Sequence, residues 1–442
     1  MKKIFVILIT KILYFVGFLI GRGSSLPGQI ALKIYPDILS KLVLPENIVF
    51  ITGSNGKTTT AGMINDVLIN NGFTVGYNFE GSNQIEGITT LLLRISDFSG
   101  RINKDALVLE VDERYTRHVL KYITPKYYVV TNLYRDQLTR NGHPEEVYAI
   151  IEQGVKEEMH LVLNTDDPLS SMMGIDKKNV TYFGVDKNSL SKENNTSIYN
   201  DGAYCPHCKE KLEYEYYHYN HIGSYKCEKC GHKRHDPEFR VTAIDFDEGN
   251  FIINHEHRIE LNFKSFYNIY NLLTAFTVAS LLGVKSEDIC LSLNNYILKK
   301  ERIIEFQVAQ KKGMMIVSKH ENSISYNQSL MYIANQKEEC TVVILVDSIS
   351  RKYYTNETSW LWDIDFELLK NDNVKRIILA GKYAYDLGVR FDHTGIDLDK
   401  ITVTPDLDKM MDSITETAVG KIYVLTCFSD KQKYIDKVKV WN

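Results

Sequence analysis

Apolar residues in this chain fall into short unbroken runs, separated by stretches with helical spacing. Ile48–Ile51, Phe73–Tyr77, Ala106–Val111, Tyr127–Thr131 and Leu161–Asn164 each read as a strand buried on both faces. That alternation predicts a mostly parallel α/β sheet from Ile48 to about Val185, with ligands at the carboxyl ends of its strands. Residues 239–263 read as short strands, and Ser265–Phe276 opens an apolar-faced helix ending near Leu282-Gly283. After Lys299-Lys300-Glu301-Arg302 the pattern resets. Met314–Ser318, Cys340–Val346, Val374–Leu379 and Lys421–Cys427 are the expected core strands of a second α/β domain. The expected division is a helical segment over 1–45, a domain over 46–300 interrupted at 201–236, and a domain over 301–442.

The first residues fit three readings. Lys2 and Lys3 precede Ile4–Ile20, which is apolar except for Thr10, Lys11 and Gly17. A spanning helix needs about 20 apolar residues, and Lys11 lies near the middle of this run. Gly-Arg-Gly-Ser-Ser-Leu-Pro-Gly follows, where a signal peptide would have a small-residue cleavage site. The stretch reads as a buried packing helix, a helix lying in a membrane interface, or a true anchor. Secretion is therefore not expected, and the cytoplasm is, at the inner face of the membrane if this helix touches lipid.

Composition changes this picture little. A length of 442 residues suggests about three domains. A net charge of −4 gives no electrostatic reason to expect nucleic acid. Seven cysteines in so long a chain are no disulfide scaffold, and four of them form two close pairs, which points to metal in a reducing compartment.

The chemistry begins at Thr52-Gly53-Ser54-Asn55-Gly56-Lys57-Thr58-Thr59. Strand, glycine turn and helix together are the context of a phosphate-binding loop. Gly53 and Gly56 let backbone N–H groups crowd phosphate oxygens, Lys57 reaches the outer phosphates, and the Thr58 hydroxyl ligates Mg²⁺. The loop is shortened, because Ile51 stands where the usual pattern begins with glycine. A helix start without a nucleotide is the bland alternative. Glu110, Asp112 and Glu113 collect after one strand, and Asn132, Arg135, Asp136 and Gln137 after the next. Glu110 is the expected Mg²⁺ carboxylate, directly or through water; otherwise it is a solvated acid at a strand end.

Cys205-Pro206-His207-Cys208 and Cys227-Glu228-Lys229-Cys230-Gly231 have the spacing of a zinc ribbon. A closed site of four thiolates leaves no position for water, so zinc is expected to be structural. Lys/Arg and Asp/Glu balance between Asp201 and Arg240, which argues against a nucleic-acid face. Asn268 and Asn271 share a helix face and suit a planar base, although Asn near a helix start is more often a cap. Thr355–Glu367, which holds Trp360 and Trp362, is either a site loop or a surface loop anchored by its aromatics.

Together these segments resemble the Mur ligase family, and within it the MurT-type subunits of lipid II isoglutaminyl synthases. The resemblance rests on GRGSSLPGQIALKI, TGSNGKTTT, GSNQIEGITT, LEVDE, TNLYRDQL, LNTDDPL, the cysteine pairs, YNIYN and SWLWDIDFE, and covers nearly the whole chain. It implies an ATP-dependent synthetase that activates the α-carboxylate of D-glutamate in the lipid II stem peptide. A separate, GatD-like class I glutaminase in a heterodimer would supply the ammonia. It implies that Gly53, Ser54, Asn55, Gly56, Lys57, Thr58, Thr59, Asn268, Asn271 and Arg302 bind nucleotide and that Thr58 and Glu110 hold Mg²⁺. It further implies that the acid at Glu357 orients the glutaminase's catalytic histidine. The chain departs from the family pattern at three places: Glu357 replaces an aspartate, Ser318–Ser323 replaces K-N-P-A-G, and Glu301-Arg302-Ile303-Ile304 stands near the family's G-R-x-E. The carbamoylated lysine of many Mur ligases has no evident counterpart. An amino-acid-adding ligase of the same fold, and a degenerate nucleotide-binding paralogue that holds a partner, are the competing functions.

Overall fold

The computed structural model describes residues 1–19, 23–80, 82–261, 265–297, 303–308, 310–349 and 357–440. The chain forms two compact units. One comprises Met1–Tyr134, His143–Thr196 and Asn200–Ile297; the other comprises Arg135–Gly142, Ser197–Tyr199 and Leu298–Asn442.

The first unit is built on strands β1 (Asn47–Thr52), β2 (Val75–Tyr77), β3 (Ala106–Glu110), β4 (Tyr127–Val130), β5 (His160–Asn164) and β6 (Val180–Val185). The strands β7 (Glu213–Tyr219) and β8 (Ile222–Lys226) form a separate hairpin, followed by β9 (Phe239–Asp245), β10 (Asn250–Ile253) and β11 (His257–Glu260). The nine-stranded sheet runs β11-β10-β9-β6-β5-β4-β1-β3-β2. It is parallel from β2 to β9, and only β9, β10 and β11 pair antiparallel. The residues of β3 and β4 are buried throughout, as parallel strands covered on both faces must be. The cysteine insertion leaves this sheet after β6 and returns at β9, its parallel neighbour.

Three helices at the N-terminal end of the unit pack together: α1 (Lys2–Leu19), α2 (Leu26–Ile34) and α4 (Ile85–Ile95), while α3 (Lys57–Asn70) follows the glycine loop. Val6 and Ile7 of α1 are fully buried in the same cluster as Ile88 and Leu92. Close approach explains the small residues of the second segment. A Cβ on Gly28 would lie 1.9 Å from the Glu86 carbonyl oxygen, and the Gly28 N–H donates to Thr90 Oγ1 at 2.8 Å. The charge inside the apolar run of α1 is also accounted for, since Lys11 Nζ donates to the carbonyls of Arg94 (2.9 Å) and Ser96 (2.6 Å). Helix α1 is thus a packing helix on one face only. Among the described residues no helix is long and apolar enough to cross a membrane.

The second unit holds β12 (Ile303–Val308), β13 (Lys311–Ser318), β14 (Cys340–Leu345), β15 (Val374–Ala380), β16 (Ile401–Thr404), β17 (Lys421–Cys427) and β18 (Lys439–Val440). Their order is β16-β15-β14-β17-β13-β12-β18, parallel from β16 to β13 and antiparallel at β12 and β18. The segment with two tryptophans forms a short 3₁₀ turn, Ser359–Asp363. Trp360 and Leu361 enter the core with Ile364 and Phe366, and the Trp360 ring lies 5.5 Å from that of Tyr326. Trp362 stays half exposed. The tryptophan segment therefore anchors itself through one aromatic and presents the other.

Candidate functional site

The loop after β1 turns at Gly53 (φ 126°) and Gly56 (φ 86°), values that favour glycine strongly. Neighbours press on both. A Cβ on Gly53 would sit 2.4 Å from Thr131 Oγ1, and one on Gly56 2.2 Å from Asn271 Oδ1. The loop is held from the carboxyl end of β4. The Ser54 N–H donates to the Asn132 carbonyl and the Asn55 N–H to Asn132 Oδ1, each at 2.8 Å. Thr131 Oγ1 donates to the Asn55 carbonyl at 2.7 Å, and Ser54 Oγ exchanges bonds with the Tyr134 backbone. Asn132, noted in the sequence only as a polar residue after a strand, therefore fixes the loop's shape.

Lys57, the first residue of α3, is buried. Its Nζ donates to Glu113 Oε2 at 2.8 Å and to the Gly53 carbonyl. Burial alone would lower its pKa, but the carboxylates of Glu113, Glu110 and Asp112 outweigh that and raise it above the ordinary lysine range. The ammonium is therefore permanently charged. The sequence grouped these three acids without saying which would meet Lys57; the turn after β3 decides for Glu113.

Glu110 ends β3, opposite Ile51 of β1. It is buried; Oε1 accepts from Asn83 Nδ2 at 2.9 Å, and Oε2 has no hydrogen-bond partner. Asn78 grips the Glu110 backbone through both N–H (2.9 Å) and C=O (2.8 Å). A buried, half-satisfied carboxylate is costly unless a cation completes it, so this oxygen suits a hard divalent ion. Thr58 is exposed at the N-terminus of α3. Thr59 is half-buried beside it, while Ser54 lies buried within the loop.

Asn268 and Asn271 are buried on the helix Phe266–Leu281. Asn271 reaches the loop, where its Oδ1 accepts from Thr60 Oγ1 at 3.4 Å. Arg302 lies outside the described residues. Glu357 belongs to the other unit and is exposed.

The four cysteines converge. Cys205 and Cys230 sulfurs are 3.5 Å apart, Cys208 and Cys227 3.4 Å, and all four lie within 4.8 Å of one another. Thiolates about 2.3 Å from a zinc ion would be spaced about 3.8 Å apart, so the set fits a tetrahedral metal. The knuckles repeat each other: Cys205 N–H donates to the Glu210 carbonyl as Cys227 N–H does to that of His232, both at 2.7 Å. The left-handed position is Gly231 in one knuckle (φ 77°) and Lys209 in the other (φ 62°).

The hairpin β7–β8 that carries this cluster is joined to the sheet by a polar network absent from the sequence reading. Asp166 accepts from Arg234 Nε and Tyr270 Oη at 2.6 Å each and from the Val185 N–H at 2.7 Å. Tyr219 Oη of β7 meets Tyr134 Oη at 2.8 Å, and the Tyr134 backbone in turn holds Ser54. The insertion is thereby connected to the glycine loop through two residues.

The Mur ligase middle domain family matches residues 51–279 and the MurT ligase C-terminal family residues 320–430. The lipid II isoglutaminyl synthase (glutamine-hydrolyzing) subunit MurT of Staphylococcus aureus strain COL is 33% identical over 371 residues, which is 84% of this chain and 82% of that protein. This chain belongs to the MurT family of Mur ligases. The MurT subunit of Streptococcus pneumoniae strain ATCC BAA-255 / R6 is 31% identical over 94% of this chain and 92% of its own length. A solved pseudomurein peptide ligase type C from Methanothermus fervidus shares the fold at TM-score 0.66 and 20% identity, covering 91% of this chain and 81% of its own.

The unit matched by the MurT C-terminal family has its own polar centre. Asp136 accepts from Asn322 Nδ2 at 2.9 Å and pairs with Lys319, both in the stretch that departs from K-N-P-A-G. Arg135 pairs with Asp363 at 2.8 Å and lies over the Tyr199 ring, 4.0 Å from its centre. Asp365 accepts from Asn327 Nδ2 (2.7 Å) and the Ile198 N–H (2.8 Å). Just after β14, Asp347 (2.7 Å) and Ser348 (2.9 Å) donate their N–H groups to Asp430, and Lys433 bridges Asp347 and Asp430. Glu357 Oε1 accepts from the Ser359 N–H at 2.8 Å. Hydrogen bonds from Ser359 hold that carboxyl below its ordinary range, so it is ionised at neutral pH.

Burial pushes the Asp365 carboxyl up to about 6, against hydrogen bonds from Ile198 and Ser197. The folded chain binds this proton more tightly than the unfolded chain. Its stabilising contribution is therefore complete below the ordinary carboxylate pKa of about 4 and is lost as pH rises through about 6. The difference in unfolding free energy between the parent and Asp365→Asn should thus change by on the order of 3 kcal/mol over that window. Denaturant titrations at a series of pH values measure it. A pH-independent difference would place the proton elsewhere.

Proposed function

We propose that this chain is the ATP-dependent synthetase subunit of a glutamine amidotransferase. In this reading it converts the α-carboxylate of D-glutamate in the lipid II stem peptide to the amide of D-isoglutamine. The observation that carries the reading is the pairing of a charged, buried Lys57 with the half-satisfied Glu110 at a glycine loop. Nucleotide phosphates lie along the N–H groups of Gly53–Thr59 in this assignment, with Asn268 and Asn271 at the adenine and Arg302 also assigned to the nucleotide. Lys57 exchanges its contact with the Gly53 carbonyl for the outer phosphates, and Glu113 keeps it charged and aimed. Thr58 and Glu110 would hold Mg²⁺, which would supply positive charge to the transferring phosphoryl group. The carboxylate of the acceptor attacks the γ-phosphorus, ADP leaves, and ammonia then displaces phosphate from the acyl phosphate. A sheltered site protects that intermediate from water. Cys205, Cys208, Cys227 and Cys230 form a zinc ribbon with a structural ion, and the domains divide near residues 45 and 300.

Ammonia comes from a class I glutaminase docked as a heterodimer. The exposed, ionised Glu357 is the residue we assign to orienting the partner's catalytic histidine, as an acid does in serine-type triads. Reconstitution with such a glutaminase should give glutamine-dependent amidation of lipid II. Glu357→Gln should abolish glutamine hydrolysis by the pair while sparing activity with free ammonia. Incorporation of an amino acid instead of ammonia would establish the competing ligase reading. ATP turnover indifferent to any peptidoglycan precursor would overturn both.

A further inference from the structure

Helix α1 covers the first unit with one face and leaves the other uncovered. Phe5 (55% exposed), Leu8, Ile12, Phe15 (67%) and Leu19 (70%) all face outward. At 3.6 residues per turn they fall within an arc of about 80°, a continuous stripe. Phe98, 52% exposed, lies next to the helix under Lys11 Nζ. Soluble surfaces rarely keep so long a contiguous apolar stripe without an occupant.

Charge identifies the occupant. Residues 1–45 carry six Lys/Arg (Lys2, Lys3, Lys11, Arg22, Lys33 and Lys41) against the single Asp37, in a chain whose net charge is −4. Lys2, Lys33 and Lys41 are exposed. An apolar stripe with a local cationic excess is complementary to an anionic lipid surface. A second copy of this chain meeting face to face would instead bring two cationic segments together. The tether of Lys11 to the Arg94 and Ser96 carbonyls keeps its ammonium out of the stripe, so the helix can lie in an interface that it is too interrupted to cross.

We infer that α1 is an interfacial membrane-binding helix that seats the first unit on an anionic bilayer. The position has a consequence for the site. Helix α1 packs on α4, whose N-terminal approach includes Asn83, the partner of Glu110. Tyr14 of α1 donates to Glu80 at 2.7 Å on the same approach. A bilayer on the exposed face of α1 would therefore be one helix away from the approach to the proposed Mg²⁺ carboxylate, which suits a lipid-linked acceptor. That purpose rests on the function proposed above, whereas the membrane contact rests on the helix alone.

Flotation of the full chain with vesicles tests it. Binding is expected to vesicles of phosphatidylcholine with phosphatidylglycerol, and to fall on the order of tenfold for phosphatidylcholine alone or in high salt. The double variant Leu8→Asp/Phe15→Asp should lose binding by at least about tenfold. Both positions are exposed, so the melting temperature should be unchanged. ATP-dependent amidation of a lipid-free precursor analogue should also persist, which separates failure of this inference from failure of the function. Equal flotation of parent and variant would overturn the proposal. So would a parent that ignores vesicles but forms a dimer, or binds the glutaminase, in a way that the double variant abolishes.

Discussion

Lys57→Ala is expected to lower ATP turnover by on the order of a hundredfold or more. The ammonium lies at the start of α3 against the glycine loop, and its only function on a bound nucleotide would be to meet charge on the outer phosphates. The substitution has a second consequence that the structure makes explicit. Lys57 is the counterion of a buried Glu113 and also balances Glu110 and Asp112. Deleting one partner of a buried pair strands the other charge, at a cost of about 3–5 kcal/mol. A loss of activity by Lys57→Ala alone would therefore mix catalysis with unfolding. The double variant Lys57→Ala/Glu113→Gln removes the stranded charge and should recover most of the stability without recovering turnover. Denaturant unfolding and steady-state ATP hydrolysis on all four proteins of this cycle give the answer. If the double variant hydrolyses ATP at the parental rate, the loop is not the phosphate site.

Removing the metal, by a strong chelator or by Cys227→Ser, is expected to destabilise the insertion by several kcal/mol. The local apolar core is small, with Cys205, Leu212, Tyr225 and Cys227 buried and Cys208 and Tyr214 packed around them. Two of its four central residues belong to the proposed ligand set, and without an ion little else would close the knuckles. The effect should also spread beyond the hairpin. Asp166 is satisfied by Arg234 from the insertion and by Tyr270, which lies between Asn268 and Asn271. Loosening Arg234 leaves a buried carboxylate short of a partner at the root of that helix. Nucleotide affinity should therefore fall together with the metal, even though the cluster holds no catalytic group. Metal analysis, thermal unfolding and nucleotide titration before and after chelation measure the three parts. Protein purified without chelator that contains no zinc, or unfolding unchanged in Cys227→Ser, would remove the cluster from the account.

Much of this protein is legible in its residues because the signals are local. Unbroken apolar runs mark parallel strands, since such strands are buried on both faces, and the observed sheets are parallel where those runs occur. Gly53 and Gly56 announce a tight loop before a helix through backbone geometry that few other residues adopt, and the loop is observed there. The two Cys-x-x-Cys pairs announce a convergent cysteine cluster that could hold a metal, because spacing within a knuckle is a property of the turn itself. Partnerships between distant segments are another matter. Nothing in the spacing of Glu110, Asp112 and Glu113 says that the last meets Lys57, or that Asn83 leaves one oxygen of Glu110 unsatisfied. Those facts follow from the register of β3 beside β1 and from the turn that comes after it. Lys11 shows the same division in a single residue. In the sequence it interrupts an apolar run and leaves the N-terminal helix ambiguous. In the fold two carbonyls of α4 and its C-terminal end capture its ammonium, and that tertiary contact draws the charge away from the apolar stripe it flanks.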